Sequence, residues 1–182
     1  MRWLRLLFVL VMVPLAGCAM NPRAYTVDTA GPYQLNTGDV VRVTVYGDKD
    51  LSNTYKIDDS GAISFPLVGP QHVAGDTTQG AAARLSAALA NGFMRNPNVV
   101  VEVADYRPFF IQGEVTTSGQ FPYVYGMTVR AAVSTAGGFK DTAERGTVTV
   151  YRRQGTQMTK LHEDLDFPIQ PGDTVVVAER WL

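Results

Sequence analysis

The sequence predicts an α+β chain of two small β-rich modules, each with one helix packed on its strands. Runs rich in β-branched residues recur at Val40–Tyr46, Val99–Val103, Val148–Arg152 and Asp173–Ala178, with turn residues between them. Two stretches, Thr78–Phe93 and Thr128–Ala136, carry the apolar spacing of an amphipathic helix. Arg107-Pro108 divides the chain so that one helix falls on each side.

Ahead of the modules, Arg2 and Arg5 precede the uninterrupted apolar run Leu6–Val13, and Leu15-Ala16-Gly17-Cys18 follows. This is the layout of a secretory signal peptide over residues 1–17. The run falls short of the roughly 20 residues a spanning helix needs, and Pro14 breaks its end. Leu15-Ala16-Gly17-Cys18 resembles the bacterial lipobox, which implies that Cys18 becomes a lipidated N-terminus. Three acyl chains, palmitate among them, would each bury about 0.8 kcal/mol per methylene and make the attachment durable. Cleavage by the ordinary signal peptidase near Ala19 would instead leave a soluble periplasmic protein. Ala19 stands where an aspartate would signal inner-membrane retention in many enteric bacteria, so the sequence is compatible with the outer membrane. Residues 18–32 contain two prolines and no apolar period, and read as a tether.

In the first module, Val40–Tyr46 alternates as a half-buried strand, with Arg42 and Thr44 set against Val41, Val43 and Val45. Short strands are expected at Tyr55–Ile57 and Ala62–Phe65, around the turn Asp58-Asp59-Ser60-Gly61. The helix Thr78–Phe93 takes Asp76 or Thr77 as its N-cap and turns Ala81, Leu85, Ala88, Leu89 and Phe93 to one side. Asn96-Pro97-Asn98 stops it, and the near-continuous valines of Val99–Val103 suggest a strand buried on both faces.

In the second module, Phe109–Val115 and Gly119–Tyr123 form strands around a polar turn. Thr128 caps a helix that buries Val129, Ala132, Val133 and Ala136 and ends at Gly137-Gly138. Val148–Arg152, Gln157–Leu161 and Asp173–Ala178 complete the strands. The modules share an echo, Leu35-Asn36-Thr37-Gly38-Asp39-Val40 near the start and Ile169-Gln170-Pro171-Gly172-Asp173-Thr174 near the end. Gly38 and Gly172 supply positive φ, Pro171 suits the second position of a type II turn, and Asp39 and Asp173 should accept from nearby amides. A common turn leading into a strand accounts for this better than a duplicated ligand site.

Little here points to catalysis. Sixteen basic and seventeen acidic side chains give a net charge of -1, which provides no field for nucleic acid. A single cysteine excludes an internal disulfide or a multi-cysteine metal site. His72 and His162 lack metal-ligand spacing, and no serine sits in a nucleophile elbow, so no catalytic residue, metal or cofactor is assigned. Glu163, Asp164 and Asp166 lack the spaced oxygens of a calcium loop and read as a solvated turn. Gly113, Gly119 and Gly126 are too irregular for a phosphate cradle. Glu102 and Asp105 are available as a hydrolase carboxylate pair, but nothing sets their roles. The aromatic-rich segment around Phe121 offers Tyr106, Phe109, Phe110, Tyr123 and Tyr125 as sugar or interface contacts, although packing is the commoner fate of such residues.

Taken together, these motifs resemble the outer-membrane polysaccharide export (Wza-like) lipoprotein family. The resemblance is carried by Tyr33–Val43, by Ile57–Gly69 with Gly61, Pro66 and Gly69, and by Gly75-Asp76-Thr77. Downstream it continues through Gly113-Glu114-Val115, Gly119-Gln120-Phe121-Pro122, Ala136-Gly137-Gly138 and Pro171-Gly172-Asp173. It implies a polysaccharide export domain over residues 33–104 and a β-grasp-like SLBB domain over 105–182. It further implies a non-enzymatic lipoprotein on the periplasmic face of the outer membrane, a homo-oligomeric ring that passes capsular polysaccharide or exopolysaccharide, and an inner-membrane co-polymerase partner. Longer relatives continue into a membrane-piercing helix, whereas this sequence runs out at Trp181-Leu182, leading us to expect a short exporter working with a separate outer-membrane β-barrel. The alternative is a monomeric periplasmic carbohydrate-binding lipoprotein that uses the SLBB module.

Overall fold

A computed structural model describes residues 31–155 and 157–181. The signal peptide, Cys18 and most of the expected tether lie outside the described residues.

The apolar side chains sort into two cores, one drawn from Leu35 to Val101 and one from Phe109 to Val177. The first is built by β1 (Val40–Val45), β2 (Asp48–Lys56), β3 (Ala62–Phe65), β4 (Gly69–His72), α1 (Thr78–Ala90) and β5 (Val99–Asp105). β1 lies between β2 and β5 in an antiparallel three-stranded sheet, and β3 and β4 form a separate hairpin. Strict alternation on β1 sends Val41, Val43 and Val45 inward and Arg42 and Thr44 to solvent. α1 covers the inner face with Ala81, Leu85 and Leu89, and its N-cap Thr77 accepts from the Gly80 amide at 3.1 Å.

Four details differ from the sequence-based expectation. β2 runs from Asp48 rather than Tyr55, because pairing with β1 recruits a polar stretch without strand propensity of its own. β4 was not expected, since Gly69-Pro70-Gln71-His72 carries a proline; a two-stranded hairpin has an open edge that tolerates it. α1 ends at Ala90 rather than Phe93: the backbone turns at Gly92, Met94 packs on the core, and Phe93 is left half exposed. The valines of β5 are not buried on both faces. Val101 is buried, but Val100 and Glu102 are exposed, because the helix layer covers only one side of the sheet.

The second core is built by β6 (Phe109–Gly113), β7 (Gly119–Phe121), α2 (Val129–Thr135), β8 (Thr147–Gln154), β9 (Gln157–Asp164) and β10 (Thr174–Val177). Its sheet has the order β7-β6-β10-β8-β9, with β10 parallel to β6 and the other neighbours antiparallel. Two hairpins flanking a central parallel pair, with the helix between them, make a β-grasp. Thr128 caps α2, which buries Val129, Ala132 and Val133, and Ala136 at its end is buried as well. The architecture is therefore α+β in two small modules, each with one helix on its strands.

Gly113 closes β6 at φ 95°, and a Cβ there would collide with the carbonyl oxygen of Val177. Gly113→Ala is expected to destabilise the chain by at least about 2 kcal/mol, from backbone strain alone before the collision is relieved. Urea unfolding with an unchanged m-value checks this, and a loss below about 0.5 kcal/mol would contradict it.

Candidate functional site

The two echo turns come together at the junction of the modules. Gly38 (φ 93°) and Gly172 (φ 85°) make them, and each is followed by a fully buried aspartate. In both, the aspartate's Oδ2 accepts the amide three residues earlier, Asn36 N at 2.9 Å and Gln170 N at 2.7 Å. Each carboxylate thus ties off its own turn. The echo is a repeated piece of backbone chemistry.

The remaining partners differ. Asp173 is clasped by Arg152, with Nε 3.0 Å from Oδ1 and Nη2 2.7 Å from Oδ2, and Arg152 also donates to the Pro168 carbonyl. Losing one member would strand a buried charge, at a cost of about 3–5 kcal/mol. Asp39 instead collects neutral donors: the Tyr33 hydroxyl at 2.6 Å on Oδ2 and the Arg107 amide at 3.0 Å on Oδ1. Arg107 Nε in turn donates to the Pro171 carbonyl at 2.9 Å, so one residue of the linker bonds to both turns. The linker is also held from the other side, where the Gly172 amide donates to the Pro108 carbonyl at 3.0 Å.

Beside this linkage, Tyr106 meets Tyr33 edge to face at 4.9 Å and Tyr123 at 5.5 Å, forming a row of three rings across the junction. The Tyr123 hydroxyl donates to the Ile169 carbonyl. Burial first, and then its bond to Asp39, pushes the Tyr33 hydroxyl far above the usual phenol range, with the Arg107 charge acting weakly in the opposite sense. Burial also raises Tyr106 and Tyr123.

On one side of the row lies an open groove of about 340 Å³, bordered by Tyr33, Thr77, Thr78, Glu102, Tyr106 and Tyr125 among others. The row and the groove bring Tyr106, Tyr123 and Tyr125 together, but not the other two candidate aromatics. Phe109 is fully buried in the second core, 5.9 Å from the Phe121 ring, and is corrected from a surface contact to a packing residue. Its neighbour Phe110 points to the opposite face of β6 and is partly exposed, as strand alternation requires. Of the remaining motif residues, Gly61, Gly137 and Gly138 have positive φ outside the strands, Pro66 begins the β3–β4 turn, Gly69 opens β4 at positive φ, and Gly119 opens β7. Among the described residues no His, Cys, Asp and Glu cluster suits a metal ion. Asp166 pairs with Arg130, while His72 and His162 sit exposed beside Ser60 and Thr149.

Sequence reasoning missed Arg107 as the link, Tyr33 and Arg152 as carboxylate partners, and Thr77 and Thr78 as groove wall. The one legible signal was an arginine at the boundary between two copies of the same turn motif.

The polysaccharide biosynthesis/export protein family matches residues 27–104, and the SLBB domain family matches residues 107–177. The EPS I polysaccharide export outer membrane protein EpsA of Ralstonia nicotianae is 29% identical over 83% of this chain and 48% of its own length. The polysialic acid transport protein KpsD of Escherichia coli is 26% identical over 81% of this chain and 28% of its own. The exopolysaccharide production protein ExoF of Rhizobium meliloti is 37% identical over 50% of this chain and 22% of its own. The chain thus spans from about a fifth to about half the length of these relatives.

The raised Tyr33 hydroxyl has a consequence for stability against pH. An unfolded tyrosine ionises near pH 10, whereas the folded state holds this one neutral, so the folded state binds more protons above that pH. Stability should fall as pH rises past about 10, and Tyr33→Phe should flatten the fall. Urea midpoints between pH 8 and 11 check it; identical slopes in the two proteins would contradict the burial of this phenol.

Proposed function

We propose that the chain is a member of the polysaccharide biosynthesis/export protein family with an SLBB domain behind its export domain, and that it is a lipid-anchored outer-membrane component of an exopolysaccharide or capsule export channel, facing the periplasm. The observation that carries this reading is the pair of matches back to back, together with relatives named for polysaccharide export and transport that align across both modules. Cys18 carries the anchor, for which the signal-peptide layout and the small residues before it are the support. The subunit works as a homo-oligomeric ring. Outer edges on β2, β5, β7 and β9, without a strand partner among the described residues, leave backbone donors and acceptors for such contacts. The role is transport rather than bond-making, a reading supported by the relatives named for polysaccharide export and transport. An inner-membrane co-polymerase and a separate outer-membrane β-barrel are the partners this reading calls for. The aromatic groove favours a second reading, a monomeric carbohydrate-binding lipoprotein.

Cys18→Ser should move the protein from the membrane to the soluble periplasmic fraction and reduce secreted polymer several-fold, as fractionation and glycan assay would report. Electron microscopy of the detergent-solubilised protein should show closed rings, whereas persistent monomers would support the second reading. Unchanged fractionation with normal surface glycan would contradict both the anchor and the export role.

A further inference from the structure

We propose that the junction groove is a subsite for a short stretch of uncharged pyranose residues of the exported polymer; this rests on the reading of the chain as an export component. A space of about 340 Å³ is at the small end of ligand sites, which run from about 300 to 1,000 Å³. It admits a segment of a glycan chain and excludes a folded partner.

The wall chemistry matches a sugar ring. A pyranose presents an apolar C–H face and a rim of hydroxyls, and a tyrosine offers a flat apolar ring with a polar tip. Tyr125 leaves 58% of its surface in solvent, so it contributes little to the core and is free to cover a ligand. The Tyr33 and Tyr123 hydroxyls are committed to Asp39 and Ile169, while those of Tyr106 and Tyr125 make no hydrogen bond among the described residues. Tyr106 is fixed edge-on between Tyr33 and Tyr123, so its side of the groove is preorganised. Thr77 and Thr78 add hydroxyls from the start of α1. Any occupant therefore touches both modules at once.

Charge narrows the ligand class. Among the described residues Glu102 is the one charged side chain bordering the groove. Its register partner on β1, Arg42, is not among the lining residues. Arg84 is paired with Asp76, and Arg107, whose Nε donates to the Pro171 carbonyl, does not border the groove. Among the described lining residues a uronic or sialic acid would meet a carboxylate and no cation, whereas a neutral sugar hydroxyl can donate to Glu102.

Saturation-transfer NMR on the full chain in detergent tests this with hexamers of cellulose, laminarin and mannan as neutral probes and an α2,8-linked sialic acid hexamer as the acidic one. At least one neutral hexamer should receive saturation on its C–H protons, with the acidic hexamer at least about tenfold weaker. Tyr125→Ala, at an exposed position, should weaken the neutral probe about tenfold without shifting the melting temperature. Phe110→Ala, an exposed aromatic outside the groove, should leave binding unchanged. Absence of binding by all three neutral probes, equal binding of the acidic hexamer, or an unaffected Tyr125→Ala would overturn the proposal. Deleting the gene separates the two readings. If deletion stops polymer secretion while Tyr125→Ala changes neither binding nor secretion, only the subsite fails; if deletion leaves secretion normal, the export role itself fails.

Discussion

A carboxylate taken out of water needs donors on both oxygens, and Asp39 recruits them from both sides of the module boundary. The turn supplies Asn36, the chain just upstream supplies Tyr33, and the linker supplies the Arg107 amide. Arg107 then reaches the Pro171 carbonyl with its guanidinium, so the first turn, the linker and the last turn are bonded in series. Both glycines are part of this arrangement. A side chain at Gly172 would crowd the Arg107 guanidinium at 3.2 Å, and one at Gly38 would lie against its Cβ at 3.7 Å. The same Gly-Asp pair that makes each turn therefore also makes room for the residue that joins them.

The tyrosine row depends on this linkage. Tyr33 is oriented by Asp39, Tyr123 by the Ile169 carbonyl, and Tyr106 is adjacent in sequence to Arg107 and packs between the two rings. A groove lined from residues 32 to 125 has a fixed shape only if the modules keep their relative placement. Polar bonding at the boundary thus sets the geometry of an aromatic surface shared by the two modules.

Much of the fold was legible because its determinants are local. Alternation along Val41 to Val45, threonine caps at Thr77 and Thr128, and glycines at the ends of turns each act over a few residues. β4 and the first half of β2 were not legible, since their extended state comes from a partner strand rather than from Pro70 or Asp50. The site was less readable still. The aromatic segment drew attention to Tyr106, Tyr123 and Tyr125, but composition does not tell which of Phe109 and Phe110 faces the core, as that depends on register. The same is true of Arg107, whose role exists only once residues 39 and 171 have been brought beside it.

The claim that the junction holds the modules as one body is tested most directly by electron-electron distance measurement in the full chain, with spin labels at the exposed positions Thr54 and Arg153 and Cys18 replaced by serine. The account predicts one narrow distance peak with the junction intact, and a broad distribution when Asp39→Ala and Arg107→Ala are combined. A distribution already broad in the intact junction, or a narrow one that survives both substitutions, would contradict it.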